Sequence, residues 1–294
     1  MSDRGVARFP IHSIRDVRDY AIEAAQIAAR AQQELAYEER QLKSDDSVLT
    51  AADPRVERYL HEQIRLAYPQ ANVLGEENVW SLDRSRPYTF AIDPIDGTDV
   101  YSQGMRGWCV SVGLLDEALR PVAGVVVAPR LDLILFADLG QPATLNGEPL
   151  QPVCQHGQAT PAPLLPLDHT TNVMAHSRVH QRIDLRRYPG KVRSIGSAAL
   201  HICFTLIYPG IYAAIEAQGE HVWDIAGAHA ILRSHGYELS YLSGRELDYG
   251  QLIQGEGAAE PMLGGRPEQV RALRRLLTRP PRLPETADVF GDFE

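Results

Sequence analysis

The residues with the clearest chemistry are two aspartates in the string Asp93-Pro94-Ile95-Asp96-Gly97-Thr98. An apolar run rich in strand formers, Tyr88 to Ile92, precedes them, so the string reads as the carboxyl end of a buried strand, where α/β proteins tend to place active sites. Pro94 fixes its own φ and biases Asp93 toward an extended backbone, which lets the two carboxylates converge. Converging carboxylate oxygens suit a hard divalent cation. Gly97 permits a tight turn, and the Gly97 and Thr98 amides with the Thr98 hydroxyl suit an anion such as phosphate beside that cation. The plain alternative is a turn, since Asp-Pro and Asp-Gly are common turn formers. An aspartyl-nucleophile loop is a second alternative, but it separates its acids by one residue, and here Pro94 and Ile95 both intervene.

Four other places carry compatible groups. Gly75-Glu76-Glu77 follows a short strand, Ala71 to Leu74, and precedes the Asp93 strand by one connection, so Glu76 can be presented beside it; solvated charge is the alternative. Asp53 ends the polar loop after Lys43 and stands where a helix cap belongs. Gly196-Ser197 opens a helix, as an anion or hydroxyl contact or as a plain cap, and Asp224 falls in the first turn of the helix begun by His221-Val222-Trp223, where capping is again the alternative.

These groups need elements to hold them. Few breakers occur from Ile11 to about Lys43, and Ile14, Val17, Ala21, Ala24, Ala25, Ala28 and Ala31 recur at helical spacing, which predicts one long amphipathic helix. A second helix begins near Pro54 and runs through Val56, Leu60, Ile64 and Leu66. Trp108 to Leu115, Val122 to Val127 and Leu131 to Phe136 predict an antiparallel meander, with one further strand from Leu145 to Gln151. Cys154 to Asp168 reads as a connection between two halves. Beyond it the pattern predicts strands at Asn172–Ala175, Val192–Ile195, Ile211–Glu216, Tyr237–Leu242 and Met262, helices at Gln181–Tyr188, from Gly196, from His221 and at Pro267–Leu277, and a loose tail after Pro280.

The 294 residues carry a net charge of -9 and a pI near 5.6, which argues against nucleic acid or an anionic membrane as the main partner. An anionic substrate then needs a local positive charge, and a bound metal is the natural supply. Cys109, Cys154 and Cys203 are scattered, which indicates neither a disulfide framework nor a zinc site. The start lacks an apolar signal core and no run approaches a membrane span, so a soluble, cytoplasmic protein is expected.

Taken together and in order, Gly75-Glu76-Glu77, Asp93-Pro94-Ile95-Asp96-Gly97-Thr98 and Trp223-Asp224-Ile225-Ala226-Gly227-Ala228 resemble the inositol monophosphatase family of magnesium-dependent, lithium-sensitive phosphatases, from the Lys43 loop to the last helix. The resemblance implies an α/β layered sandwich (αβαβα), with an N-terminal α+β half (1–153) and a C-terminal α/β half (154–294). It implies a metal cluster of Glu76, Asp93, the Ile95 carbonyl, Asp96 and Asp224, holding roughly two or three Mg2+ ions. Asp53, Thr98 and Glu76 become the catalytic group, with Asp53 and Thr98 orienting and deprotonating the attacking water, and no phosphoenzyme forms. Asp96, Gly97, Thr98, Gly196, Ser197, Ala198, Glu216 and Asp224 become substrate contacts, although Glu216 stands one residue further from Asp224 than the family spacing. A homodimer is implied as well. Asp99-Val100-Tyr101 replaces the amide and phenylalanine of many members. The family's substrates include inositol monophosphates, fructose 1,6-bisphosphate, histidinol phosphate and 3′-phosphoadenosine 5′-phosphate. Ile95 and Ser47-Val48, where the adenosine-specific group carries leucine and Ser-Pro, favour a small polyol or sugar phosphate. A non-catalytic member that binds metal and phosphate is the alternative of a different class, disfavoured by the complete carboxylate set.

Overall fold

The computed structural model describes residues 11–34, 41–42, 48–77, 82–150 and 164–278. The chain begins with α1 (Arg15–Glu34), whose Val17, Ala21, Ala24, Ala25 and Ala28 are buried along one stripe. The expected helix does not continue to Lys43: Gln41–Leu42 (β1) pairs antiparallel with Val48–Leu49 (β2). The alanine stripe ends at Ala31, and Gln32-Gln33-Glu34 offer no apolar face to bury. Lys43 itself lies outside the described residues. Helix α2 (Ala52–Ala67) buries Val56, Leu60 and Ile64 as the periodicity requires, together with Asp53 and Glu57.

A seven-stranded sheet follows, made of β3 (Ala71–Gly75), β4 (Tyr88–Asp96), β5 (Cys109–Leu115), β6 (Pro121–Ala128), β7 (Leu133–Ala137), β8 (Thr144–Leu145) and β9 (Glu148–Pro149), in that spatial order. The short α3 (Thr98–Ser102) lies between β4 and β5. Strands β3 and β4 are parallel and every other pair is antiparallel. The single strand expected over Leu145–Gln151 is instead the hairpin β8–β9, which turns at Asn146 (φ 53) and Gly147 (φ 87). Asn-Gly is the pair that tolerates two successive positive φ values in a two-residue hairpin. Gln151 lies outside the described residues.

The five-stranded sheet has the order β11-β10-β12-β14-β13, from β10 (Asn172–Ala175), β11 (Lys191–Arg193), β12 (Ile211–Glu216), β13 (Glu238–Tyr241) and β14 (Met262–Gly265). Its helices are α4 (Ala198–Ile207), α5 (Val222–Arg233), the short α6 (Tyr249–Leu252) and α7 (Pro267–Leu277). The helix expected at Gln181–Tyr188 is two single 3-10 turns, Val179–Gln181 and Leu185–Arg187. Asp184 interrupts it, because its carboxylate accepts from the Arg186 amide at 3.1 Å and so stabilises a fresh start.

Three cores stack the layers. Ile14, Leu60, Ile92 and Val112 join α1 and α2 to one face of the large sheet. Ala91, Cys109 and Val126 on its other face pack on α4 and α5, which also cover Ala214 and Met262 of the small sheet. Val173, Ile215, Val270 and Leu273 bind α7 and the 3-10 turns to the small sheet's outer face. The order is helix, sheet, helix, sheet, helix. No described helix is long and apolar enough to cross a membrane.

Candidate active site

The registers of β4 and β5 explain how two aspartates separated by Pro94 and Ile95 reach one face. Asp93 lies opposite Ser111 and Asp96 opposite Cys109, so β4 carries one residue more than its partner over this step. On a regular strand these two acids would point to opposite faces; the extra residue makes a bulge that turns Asp96 to the side of Asp93. Ile95 correspondingly turns into the α1–α2 core. The Ile95 amide donates to Asp93 Oδ1 at 2.9 Å, and Gly97, at φ 94, reverses the chain into α3.

Thr98 opens that helix with its hydroxyl 2.8 Å from the Ile95 carbonyl and 3.0 Å from Asp53 Oδ1. One hydroxyl hydrogen is directed to one of these acceptors at a time, so Thr98 stands between the Ile95 carbonyl and Asp53. Asp53 is not the cap of α2: the cap position is Ala51, and Asp53 sits in the first turn. Its Oδ2 accepts from the Thr50 amide at 2.9 Å and the Thr50 hydroxyl at 2.6 Å. Burial pushes its pKa up to about 6, against the opposing pull of the Thr50 hydrogen bonds.

Asp224 comes from the other layer. The His221 amide donates to its Oδ2 at 2.5 Å, which ties it to the start of α5. The Ala226-Gly227 pair lets that helix lie directly on β5: a Cβ on Gly113 would stand 2.6 Å from the Ala226 carbonyl carbon, and one on Gly227 would stand 2.7 Å from Ser111 Oγ. Ser111 is the residue paired with Asp93, so this close approach sets Asp224 beside the β4 acids. Glu76 follows β3, and its loop is held by Glu57, whose carboxylate accepts the Glu77 amide at 2.6 Å. Any side chain on Gly75 would collide with that carboxylate.

Glu76, Asp93, Ile95, Asp96, Gly97, Thr98, Gly196 and Asp224 all border one cleft of about 630 Å³. Burial, then the charges of Glu76, Asp96 and Asp224, push Asp93 well above the usual carboxylate range. Asp96 rises to about 6 through burial and the Asp224 charge, held back by its hydrogen bonds. Carboxylates that repel one another in low dielectric, together with a backbone carbonyl, are the oxygen-only donors a hard divalent cation prefers. Among the described residues no three His, Cys, Asp or Glu side chains form a ready-made ion cage. Asp96 illustrates why: Ser197 Oγ and the Ala199 amide donate to its Oδ2 at 2.6 and 2.7 Å, and the Ala198 amide to its Oδ1 at 3.1 Å. A lone pair remains on Oδ1, so the donor set still fits a cation.

Other expected substrate contacts lie elsewhere. Ser197 and Ala198 spend their donors on Asp96 and do not border the cleft; Gly196 alone of that trio does. Glu216 is fully buried and faces His201, with His201 Nδ1 at 3.1 Å. The Ile195 amide donates to His201 Nε2 at 3.0 Å, so Nδ1 carries the hydrogen and donates it to Glu216. The pair thus supports the loop before Gly196. The acid that does border the cleft is Glu220, pushed well above its usual pKa by burial and by Asp224. The wall also holds His176, Arg178 and Ser194. Sequence reasoning missed Glu57, His201, Glu220 and Arg178. Glu57 had a signal, a charge on the buried stripe of α2 between Val56 and Leu60.

Comparisons with known proteins bear on the family and the fold. The profile of the inositol monophosphatase family matches residues 13–273. Inositol monophosphatase 3 of Solanum lycopersicum is 29% identical over 247 residues, covering 80% of this chain and 90% of the relative. The 3′(2′),5′-bisphosphate nucleotidase CysQ of Salmonella typhimurium is 30% identical over 215 residues, covering 70% of this chain and 81% of the relative. The crystal structure of the extragenic suppressor protein suhB from Bartonella henselae has the same fold, with a TM-score of 0.72, 21% identity, and coverage of 90% of this chain and 98% of that one.

Proposed function

This chain belongs to the inositol monophosphatase family, a family of phosphatases, and from that premise we propose that it hydrolyses a small polyol or sugar phosphate, inositol monophosphate first among them, with magnesium held in the carboxylate cleft. The observation that carries the reading is the bulge in β4, which sets Asp93 and Asp96 on one face opposite Asp224 and beside the Thr98–Asp53 pair.

Glu76, Asp93, the Ile95 carbonyl, Asp96 and Asp224 are the residues that would hold the cations. Bound there, the cations supply positive charge to the phosphoryl oxygens and make water easier to deprotonate. The chain's own residues do the rest. Thr98 Oγ orients the attacking water and accepts its proton while passing its own to Asp53 Oδ1, a base whose pKa near 6 suits neutral conditions. The water oxygen forms its bond to phosphorus as the bond to the leaving oxygen breaks, and the leaving alkoxide takes a proton from solvent water, giving inorganic phosphate and an alcohol without a phosphoenzyme. Gly97 and Thr98 amides receive the phosphate, and the Gly196 edge with Glu220 and Asp224 meets the hydroxyls of the leaving alcohol. An acidic wall accepts from hydroxyl groups and repels further anions, which supports a polyol.

A second reading, a 3′(2′),5′-bisphosphate nucleotidase, is supported by Arg178, which stands exposed on the same wall and suits a second phosphate. Phosphate release from inositol 1-phosphate, fructose 1,6-bisphosphate, histidinol phosphate and 3′-phosphoadenosine 5′-phosphate tests both. Preference for inositol 1-phosphate is the expected result. Preference for the nucleotide, lost in Arg178→Ala, would replace the first reading with the second.

A further inference from the structure

At the far end of α5 from Asp224 lies a second cavity, about 980 Å³ in volume, larger than the carboxylate cleft. Its walls come from both sheets. The β5–β6 turn at 118–121 supplies one side; β13, the loop 244–250, the last turn of α5 and α7 supply the others.

Its charge is the reverse of the cleft's. Four guanidiniums, Arg120, Arg233, Arg271 and Arg274, border it against three carboxylates, Glu238, Glu246 and Asp248, in a chain whose net charge is -9. Asp248 is spent on the start of α6, accepting from the Gly250 and Gln251 amides at 3.0 and 3.2 Å. Arg120 pairs with Asp116 at 2.7 Å and Arg271 with Glu268 at 3.2 Å. Arg233 pairs with no carboxylate among the described residues. Arg274 lies 3.5 Å from Glu238 and donates from one terminal nitrogen to Ser240 at 2.7 Å. Its Nε is buried with no acceptor among the described residues. With Nε enclosed, the terminal nitrogens are the part of Arg274 that can meet a ligand. Tyr249, Leu239 and Leu247 give the cavity an apolar surface. The Tyr249 ring stacks on His229 at 5.8 Å, and burial holds that histidine neutral, with its pKa lowered to about 3.

We propose that this cavity binds a small organic phosphate, its oxygens on Arg233 and the terminal nitrogens of Arg274 and its apolar part against Tyr249, Leu239 and Leu247. Guanidinium N–H groups match phosphate oxygens in geometry and charge. Of the carboxylates that border it, Glu238 lies against Arg274 and Asp248 caps α6, and among the described residues no hydroxyl–carboxylate relay like Thr98–Asp53 borders it, so the ligand is held rather than hydrolysed. It would touch both sheets and the end of the helix that carries Asp224.

Phenyl phosphate is the probe, titrated calorimetrically into the full chain with chelator present, so that the cleft stays negative and hydrolysis is off. One saturable site per chain is expected. Arg233→Ala, an exposed position, should weaken it at least tenfold without moving the unfolding temperature of the free protein, and Asp93→Asn should leave it unchanged. Benzoate, with the same ring and one charge fewer, should bind at least fivefold more weakly. Absence of saturable binding, full affinity in Arg233→Ala, a change in Asp93→Asn, or benzoate binding as tightly would each overturn the assignment.

Discussion

The two ends of α5 meet opposite electrostatic demands. Its N-terminal end brings Asp224 to a cleft of carboxylates whose pKa values are pushed upward; its C-terminal end brings Arg233 to a cavity bordered by guanidiniums. Each matches the helix dipole, which favours acids at the start and bases at the end. The resemblance stops there. The cleft acids are buried and repel one another, which leaves a demand for positive charge that the fold itself does not meet. Most of the cavity arginines reach solvent and three have acid neighbours, so that end is stable by itself. The difference teaches that a site can be recognised by the cost it imposes on the fold, and that this cost is concentrated at the cleft.

The largest break in the comparison comes from Asp53→Asn. Removing the proton acceptor behind Thr98 should lower kcat by about 10²–10⁴-fold with KM little changed, a loss with no counterpart at the arginine end. Steady-state phosphate release measures it, and a change confined to KM would place Asp53 outside the proton path.

A sharper contrast comes from pH. Asp53 and Asp96 rise from the usual 3.8 to about 6. Between those values the folded chain holds more protons than the unfolded one, so their contribution to stability is greatest at low pH and is lost as pH rises through about 6. His201 and His229, depressed by burial to about 4 and about 3, act in the other direction and cost stability as pH falls below 6.5. The difference in unfolding temperature between magnesium and chelator isolates the cleft, because a cation competes only with the carboxylate protons. That difference should amount to several degrees near neutral pH and shrink toward about pH 5. A difference constant with pH would detach magnesium from these acids.

The smallest expected effect is that of Glu216→Gln. Family spacing implies a substrate contact, whereas the chain buries this acid against His201. The amide keeps a hydrogen bond to His201, so KM should change less than about threefold. A tenfold rise would return Glu216 to the substrate wall.

How much of this was legible beforehand depends on range. The carboxylate strings could be read because their chemistry is local, and Val17 through Ala28 announced α1 by periodicity. The bulge that unites Asp93 with Asp96 could not, since it is a statement about register with β5. Asp224 beside Asp93 depends on Gly113 and Gly227, residues distant in sequence that let a helix touch a strand. His201 lay unseen inside the apolar α4, and Glu220 stands in the polar turn Gln218-Gly219-Glu220-His221, where an acid ordinarily reads as solvated charge. The helix expected at Gln181–Tyr188 was lost to one side chain, that of Asp184, which competes with the helix for the Arg186 amide.

The most direct measurement is a magnesium titration of wild type and Asp93→Asn, following phosphate release from inositol 1-phosphate and unfolding temperature together. Wild type should gain activity and stability over the same magnesium range and lose both with chelator. Asp93→Asn, folded as judged by its unfolding transition, should release phosphate at least about 10³-fold more slowly, since it removes a charge central to the cation site. Turnover by Asp93→Asn at the wild-type rate, or by wild type in chelator, would contradict the account.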